Sequence, residues 1–433
     1  MNATLAMVQD AARRVRQARE VLTESRSTEA VIKALASAAQ SWLPPSSPWR
    51  AQAVEQAPSV TGFSPAMVNE AIDRAFGAIT VESLGALLDR ELGDRLVLDE
   101  FRPHGRVRAR AFGVPLITHL LAGNVPPPGI HSILCGLLVR SGNLVRMSQR
   151  DTVFPRLFVE SLRAVDPDMA ACVSVLEWPR EDAALTQVAL AKADTVIAHG
   201  DDSTMAALRR MMPGTATFIG YGQKVSFGYV CREAMTAEQL PALAAAAAED
   251  VSVYDQQGCL SPHVIYVEER GALSPRKFGA ALGEAMAAFH TRIPRGTLSV
   301  EEAAGVNLIR SGYEFRAASD RRIAVWASQQ PNDWAVIYDD DPSFTPSCLN
   351  RVVFVKPTDG MPRVLENIQR FATRISTVGV APLSERMTDF TNRLAKLGIH
   401  RVCPIGQMQR PPLWWYHDGK PNLSALVRWT ELG

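Results

Sequence analysis

The chain predicts an α/β protein: a doubly wound parallel sheet joined to a second α/β domain, with N-terminal helices and a β-hairpin arm. Three observations carry this expectation. Residues 114–230 alternate short apolar runs with helical segments, a second α/β run follows, and residues 1–94 read as helices alone. At 433 residues the chain is long enough for two or three domains.

The N-terminal segment "MNATLAMVQDAARRVRQAREVL" is charged and helical, without the apolar core of an export signal. "LPPSSP" breaks the helices at 43–48, and "FSPAMVNEAIDRAFGAI" restarts them with Ser64 as N-cap and Pro65 at the first helical position. This helical region, 1–94, is expected to pack on the domain that follows. "RLVLDEFRPHGRVRARAFG" (95–113) alternates polar and apolar residues about "RPHG" and reads as a hairpin.

The strands of the first α/β domain (114–230) are expected at "VPLITHLLA", "NLVRMS", "CVSVLEW", "DTVIAHG" and "TATFIGYG", with helices at "IHSILCGLLVRSG", "FPRLFVESLRAV", "EDAALTQVALAKA" and "DSTMAALRRMM". In such a sheet ligands bind beyond the carboxyl ends of the strands. "AGNVPPPG", "RMSQRD" and "AHGDD" all fall there. The second domain (231–405) is expected to place strands at "HVIYVEE", "RRIAVWAS", "DWAVIYDD" and "RVVFVKP", and helices at "SPRKFGAALGEAMAAFHTRI", "MPRVLENIQRFATRI" and "LSERMTDFTNRLAKLG". Residues 406–419 form a C-terminal segment rich in tryptophan and turn residues, followed by a final stretch, 420–433.

Bulk properties exclude several functions. A formal net charge of +1 gives no basis for binding nucleic acid or an anionic membrane. The most apolar stretch, "GVPLITHLLAGNVPPPGIHSILCGLLV", is interrupted by Asn124 and three prolines and cannot cross a bilayer as one helix, so no integral membrane contact is expected. Six scattered cysteines without a CxxC pair suggest neither disulfides nor zinc and favour a cytoplasmic setting. Eight histidines form no metal-ligand pattern, and the GxGxxG, GxxxxGK[ST] and GxSxG motifs are absent. No metal is expected.

Three signals remain. Asn124, at a strand end just before a helix, suits either an oxyanion donor or a plain turn. Arg146, Ser148 and Arg150 in "NLVRMSQRD" suit a ribose and a phosphate, or a solvated basic turn. Cys259 in "YDQQGCLSPH" lies on a polar loop between two core elements, where a nucleophile needs access, although a lone cysteine is also a common packing residue.

Taken in order, "HLLAGNVPPPGIHSILCGLLVRSGNLVRMSQRDTVFPRLF", "DTVIAHGDDST", "GYGQKVSFG", "YDQQGCLSPH" and "GIHRVCPIGQM" with the later "HDG" and "LVRW" resemble the bacterial acyl-CoA reductase family, a branch of the aldehyde dehydrogenase superfamily. The resemblance runs from about residue 60 to the C-terminus. It implies an aldehyde-dehydrogenase-like fold in which 114–230 binds a nicotinamide cofactor and 231–405 carries the catalytic cysteine. Cys259 matches that cysteine, which takes the acyl group as an enzyme thioester. Asn124 matches the oxyanion-hole asparagine, partnered by the Cys259 peptide N–H.

The same resemblance assigns "NLVRMS" to the adenosine side of the cofactor, with Arg146 where many relatives carry lysine. It sets Gly200 and Ser203 beside the pyrophosphate and aligns Lys224 with the lysine of the superfamily's E-L-G-G-K stretch. Gly220 stands where hydrolytic relatives carry the glutamate that activates water. Its replacement by glycine removes hydrolysis but not reduction. The superfamily's ribose-binding glutamate falls near "PSCLNRVV", which contains none. Gln257, His417 and Asp418 are expected to line the substrate, though "HDG" also suits a turn.

The function implied is reduction of an acyl thioester, from acyl-CoA or an acyl-carrier protein, to the aldehyde. Arginines at 146 and 150 favour NADPH, with NADH possible. The 95–113 hairpin and 420–433 resemble the superfamily's oligomerisation arm, implying a homodimer or homotetramer. The rival readings are an oxidative aldehyde dehydrogenase, a reductase of acyl phosphates and a non-catalytic partner protein on the same fold.

Overall fold

The computed structural model describes residues 3–384 and 387–433. The chain divides into two compact units. One comprises Met1–Thr61, Val68–Gly222 and Pro412–Gly433, the other Gly62–Met67 and Gln223–Pro411.

The first unit opens with helices α1 (Leu5–Ser25), α2 (Thr28–Gln40) and α3 (Pro48–Thr61); α4 (Pro65–Gly77) and α5 (Val81–Leu92) follow. Their starts are written in the sequence. Thr4 and Ser27 accept from the amides of Met7 and Ala30, Thr80 and Ser83 form a reciprocal capping box, and Ser64 Oγ accepts from Met67 N. Val8, Ala11, Ala12 and Val15 bury one stripe of α1, which adjoins the strand Gly142–Met147 described below. Each buried valine contributes up to about 2 kcal/mol.

After β1 (Arg102–His104) and β2 (Val107–Gly113) come β3 (Leu116–Leu120), α6 (Pro127–Leu138), β4 (Gly142–Met147), α7 (Phe154–Val165) and the short α8 (Pro167–Ala171). Then follow β5 (Val173–Glu177), α9 (Ala183–Ala191), β6 (Thr195–His199), α10 (Asp202–Met211) and β7 (Thr217–Tyr221). The five strands β3 to β7 form a parallel sheet in the order β5-β4-β3-β6-β7. The strand order reverses at β3, so the crevice of a doubly wound sheet opens at its carboxyl end. The Asn124 loop leaves from there. Beneath it, buried His119 on β3 is fixed by Ser132 Oγ at 2.7 Å and Asn143 Oδ1 at 3.0 Å, and burial lowers its pKa to about 4. Helix α6 comes close enough that a Cβ on Gly136 would sit 1.9 Å from Asn143 Oδ1.

The second unit contains β8 (Val225–Val230), α11 (Leu240–Ser252), β9 (Pro262–Glu268), α12 (Pro275–Arg292), α13 (Val300–Ala317), β10 (Ile323–Ala327) and β11 (Ala335–Asp339). It continues with β12 (Val352–Thr358), α14 (Met361–Ile368), β13 (Ile375–Ala381), α15 (Thr388–Lys396) and β14 (Arg401–Pro404). Seven strands form one sheet, β10-β11-β12-β9-β8-β13-β14, parallel except for β10. Strands β9 and β12 are buried along their whole length and face apolar clusters on both sides.

Several details differ from the sequence reading. Residues 225–230 pair with β9 and β13, so they stand in the second unit's sheet and not in the first domain. The helix expected over 361–375 stops at Ile368, and Ile375 already opens β13. In the C-terminal stretch, β15 (Val427–Leu432) pairs antiparallel with β2, giving the three-stranded sheet β1-β2-β15.

Among the described residues no helix is long and apolar enough to cross a membrane. Within the same set, no group of three or more His, Cys, Asp or Glu side chains stands where it could hold a metal ion.

Candidate functional site

The predicted residues fall into three groups. The first lies at the carboxyl ends of β3 and β4. Asn124 is exposed on the loop between β3 and α6. The preceding Gly123 lies hard against the β4 loop: a Cβ there would be 2.6 Å from Ser148 Oγ and 2.8 Å from the Arg150 carbonyl carbon. Only glycine permits this approach. Ser148 in turn accepts from Arg150 N at 3.2 Å, and its carbonyl accepts from Asp151 N at 3.0 Å. Asn124, Ser148 and Arg150 therefore sit on two interlocked loops.

Arg146, half-buried on β4, donates Nε to Trp178 O at 3.3 Å just past β5. Burial lowers its pKa; Glu181 opposes that shift and Arg180 adds to it, so three charged groups share this edge. The sequence reading did not single out Arg180. Its guanidinium pairs with Asp201 at 3.2 Å. Asp151 was likewise unread: it is buried, accepts from Phe154 N at 3.1 Å, and burial raises its pKa to about 7.

The second group lies at the ends of β6 and β7. Gly200 N donates to Tyr221 O at 3.1 Å, which joins the Gly200 turn to the Gly220 strand end. Helix α10 is capped by its own carboxylate. Asp201 accepts from Thr204 N at 2.7 Å and from Ser203 Oγ at 2.6 Å. The Ser203 hydroxyl, then the Thr204 amide, hold that carboxyl well below the usual range. Ser203 thus points at Asp201, so the position expected for a pyrophosphate carries an anion. The charge pattern "GDDS" carries that information, since an Asp two residues before Ser203 is a strong N-cap.

His417 stacks on Tyr221 with ring centroids 4.2 Å apart, and His199 stacks on Tyr221 at 4.8 Å. Lys420 Nζ lies 4.8 Å from the Tyr221 ring centre and donates to Gly220 O. Burial lowers the His199 pKa to about 3 and raises that of Tyr221. Asp418 is buried, with a left-handed φ of 49°. At Gly220 a Cβ would lie 2.6 Å from Phe218 Cε1 and 2.9 Å from Met205 Sδ, so even an alanine must displace both.

The third group belongs to the second unit. Cys259 is half-buried on the loop that enters β9. Its carbonyl accepts from Ser226 Oγ at 2.7 Å, and Ser226 Oγ accepts from Thr377 N at 3.1 Å. Gln409 Nε2 donates to Ser261 Oγ at 2.8 Å and to Asp250 O at 3.0 Å. The 406–409 segment is thereby tied to the cysteine loop. Lys224 donates to Thr373 O at 2.8 Å and belongs to the second unit, whereas the Gly220 strand end belongs to the first.

Among the other cysteines, Cys135, Cys172, Cys231 and Cys403 are buried and Cys348 is half-buried. Burial pushes the Cys172 thiol up to about 12 and those of Cys348 and Cys403 to about 11. These are poor sources of thiolate.

Just ahead of Cys259, three successive non-glycine residues are left-handed: Tyr254 (φ 56°), Asp255 (φ 49°) and Gln256 (φ 65°). A second such run, Leu349, Asn350 and Arg351, lies before β12 with φ of 64°, 62° and 61°. Each such residue costs about 1 kcal/mol or more, less for Asp and Asn. The two runs hold each other. Gln256 Oε1 accepts from Val352 N, and its Nε2 donates to the carbonyls of Val352 and Pro262, all at 2.9 Å. Arg351 Nε donates to Asp255 Oδ1 at 2.8 Å within a buried ion pair. Gln257 Nε2 donates to Asn350 Oδ1 at 2.9 Å. No glycine flags these positions, so the sequence gives no sign of them.

Comparison with known proteins adds the context. The acyl-CoA reductase (LuxC) family profile matches residues 23–429, reaching further toward the N-terminus than the motifs alone. The long-chain acyl-protein thioester reductase of Vibrio harveyi is 28% identical over 374 residues, covering 86% of this chain and 75% of that protein. That of Aliivibrio fischeri is 27% identical over 354 residues, covering 80% and 69%. Solved aldehyde dehydrogenases share the fold. A glyceraldehyde-3-phosphate dehydrogenase from Methanocaldococcus jannaschii complexed with NADP superposes with a TM-score of 0.71 at 12% identity, covering 100% of this chain and 95% of that one. An NAD-dependent benzaldehyde dehydrogenase from Corynebacterium glutamicum gives 0.70 at 13% identity, covering 100% and 91%.

Proposed function

Because the chain belongs to the acyl-CoA reductase (LuxC) family, we propose that it reduces a long-chain acyl thioester to the aldehyde, with Cys259 as the acyl-carrying nucleophile. The observation that carries this reading is Cys259 itself: a half-buried cysteine on a braced loop, whereas burial holds the Cys172 and Cys403 thiols protonated.

The Cys259 sulfur attacks the acyl carbonyl, forming a new carbon–sulfur bond. The bond to the carrier thiol breaks, and the carrier leaves as a thiolate that takes up a proton. When bound, a reduced nicotinamide would supply a hydride to the acyl carbon, which turns the Cys259 thioester into a thiohemiacetal anion. Two donors are assigned to the oxyanion: the Asn124 carboxamide and the Cys259 peptide N–H, each contributing roughly 3 kcal/mol. Collapse of the thiohemiacetal breaks the bond to Cys259 and releases the aldehyde. Gly220 offers no carboxylate to activate water and no space for one, which favours reduction over hydrolysis.

A nicotinamide dinucleotide fits the first unit, whose strand order reverses where the Asn124 and Ser148 loops interlock. Arg146, with Arg180 beside it, supports NADPH, since two guanidiniums suit a ribose 2′-phosphate. Ser148, Arg150, Gly200, Ser203, Gly220 and Lys224 keep their assignment to the cofactor, while Gln257, His417 and Asp418 keep theirs to the substrate. The relatives' names point to a protein-borne acyl group as donor. The sheet β1-β2-β15 is assigned to a homo-oligomer interface, supported by the outer edge of β15, which pairs only with β2 among the described strands. Six scattered cysteines with no CxxC pair support a cytoplasmic enzyme.

The test is NADPH-dependent aldehyde formation from long-chain acyl-CoA, followed by gas chromatography. The wild-type chain is expected to form aldehyde and the Cys259→Ser variant to form none. Full activity in that variant would overturn the assignment.

A further inference from the structure

The double left-handed run beside Cys259 is the most heavily braced feature of the described chain that the chemistry above does not use. Six non-glycine residues in two triplets adopt positive φ; Arg351 of one pairs with Asp255 of the other, and Gln256 and the adjoining Gln257 bond to Val352 and Asn350 at the second. The bracing extends outward. Arg351 Nη1 donates to Ile293 O at 3.1 Å, Arg295 Nη2 donates to Asn350 Oδ1 at 2.7 Å, and Gly296 N donates to Asp255 Oδ2 at 3.4 Å. Asp255, Gln256, Asn350 and Arg351 are all buried, so water cannot take over these bonds if a partner is lost. Cys259 follows Gln256 by three residues and has no regular secondary structure of its own to fix it.

We propose that Asp255 and Arg351, together with Gln256, are positioning residues for the acyl-transfer step. They form a clamp that holds a disfavoured backbone so that the Cys259 sulfur and peptide N–H present themselves to the acyl carbonyl. None of the three touches the reacting atoms. This assignment rests on Cys259 being the nucleophile. An unclamped loop relaxes toward right-handed or extended backbone, and a misplacement of roughly 1 Å at the nucleophile already costs about a hundredfold in rate.

The experiment measures acyl-enzyme formation on the full-length protein by rapid quench and intact mass, using palmitoyl-CoA as the probe. Misfolded protein is first removed by size-exclusion chromatography, and rates are expressed per Cys259 that reacts with iodoacetamide. Arg351→Met and Asp255→Asn are each expected to slow acylation about ten- to hundredfold with less than about a threefold change in KM. The double variant is expected to be no slower than the slower single one, because both act through one contact. If Arg351→Met fails to fold, Arg351→Lys keeps the charge, loses the fork geometry and is expected to show a smaller slowing of the same kind.

Wild-type rates per reactive cysteine in the folded variants, whatever their melting temperatures, would show a purely structural ion pair and overturn the proposal. Multiplying effects in the double variant would overturn it too. A wild-type chain that takes up no acyl group would overturn the reading of Cys259 and this assignment with it. Wild-type acylation with unslowed variants would overturn the assignment alone.

Discussion

Replacing Gly123 with alanine tests whether the two loops at the end of the first sheet work as one device. A Cβ at that position would lie 2.6 Å from Ser148 Oγ, 2.7 Å from Ser148 Cβ and 2.8 Å from the Arg150 carbonyl carbon. Comfortable contact needs about 3.5 Å, so the loops must part by about 0.7–0.9 Å. Two of the three contacts are with the Ser148 side chain close to its backbone and one is with backbone itself, so a rotamer change cannot absorb the strain. Overpacking of this kind costs about 1–3 kcal/mol of stability. On the proposed assignment of Asn124 to the oxyanion, a shift of nearly 1 Å removes much of a contribution worth roughly 3 kcal/mol, or about a hundredfold in rate.

Single-turnover reduction of preformed acyl-enzyme is therefore expected to slow by about ten- to hundredfold, and NADPH binding by fluorescence titration is expected to weaken, because the Ser148 loop moves as well. Gly77→Ala is the control, since nothing lies within 4 Å of a Cβ there. An unchanged reduction rate and an unchanged cofactor Kd in Gly123→Ala would refute the coupling of Asn124 to the cofactor loop.

Gly220→Glu is expected to lower stability by about 1–3 kcal/mol through its clash with Phe218 and Met205. It should leave the lifetime of the acyl-enzyme without cofactor unchanged; faster hydrolysis would contradict the lack of space. Burial raises the carboxyls of Asp151 and Asp250 to about 7, against 3.8 for an unburied group, so the folded chain keeps protons that the unfolded chain has released between those values. These groups therefore make stability fall as pH rises from about 4 to about 7, by up to about 1.4 kcal/mol per pH unit for each group, and leave it level above. Urea unfolding of Asp151→Asn and Asp250→Asn across that range should show each variant gaining on the wild type as pH rises; parallel curves would contradict this. Arg146→Ala and Arg180→Ala are each expected to reduce the ratio of kcat/KM for NADPH over NADH by about tenfold. An unchanged ratio would remove both arginines from the 2′-phosphate.

The first sheet was legible because each strand there is a short apolar run closed by a polar turn. Helix α7 begins and ends where "FPRLFVESLRAV" does. The second sheet was harder to read. Strand β8 is "VSFGYV", which looks like the tail of a glycine-rich loop, and β13 is "ISTVGVA", whose apolar residues continue the preceding helical pattern. Gly379 in β13 is explained by Met408, whose Sδ would lie 2.6 Å from a Cβ, with Ile405 Cγ1 at 3.2 Å. Helix α13 went unread although Ser299 and Glu302 form a capping box, because Leu308 and Phe315, which would define an apolar core face, point to solvent. For the candidate site, the residue types were readable but their partners were not. Asp201 turning on Ser203, Tyr221 packing against both His199 and His417, and Arg351 reaching Asp255 across 96 positions of chain are products of tertiary packing.

The central claim is that Cys259 carries the acyl group, and intact mass followed by peptide mapping tests it most directly. Incubation with long-chain acyl-CoA and no cofactor should add one acyl mass to the chain, located on the peptide containing Cys259. NADPH should then discharge it as aldehyde. An adduct on another cysteine, or the same adduct on Cys259→Ala, would contradict the account.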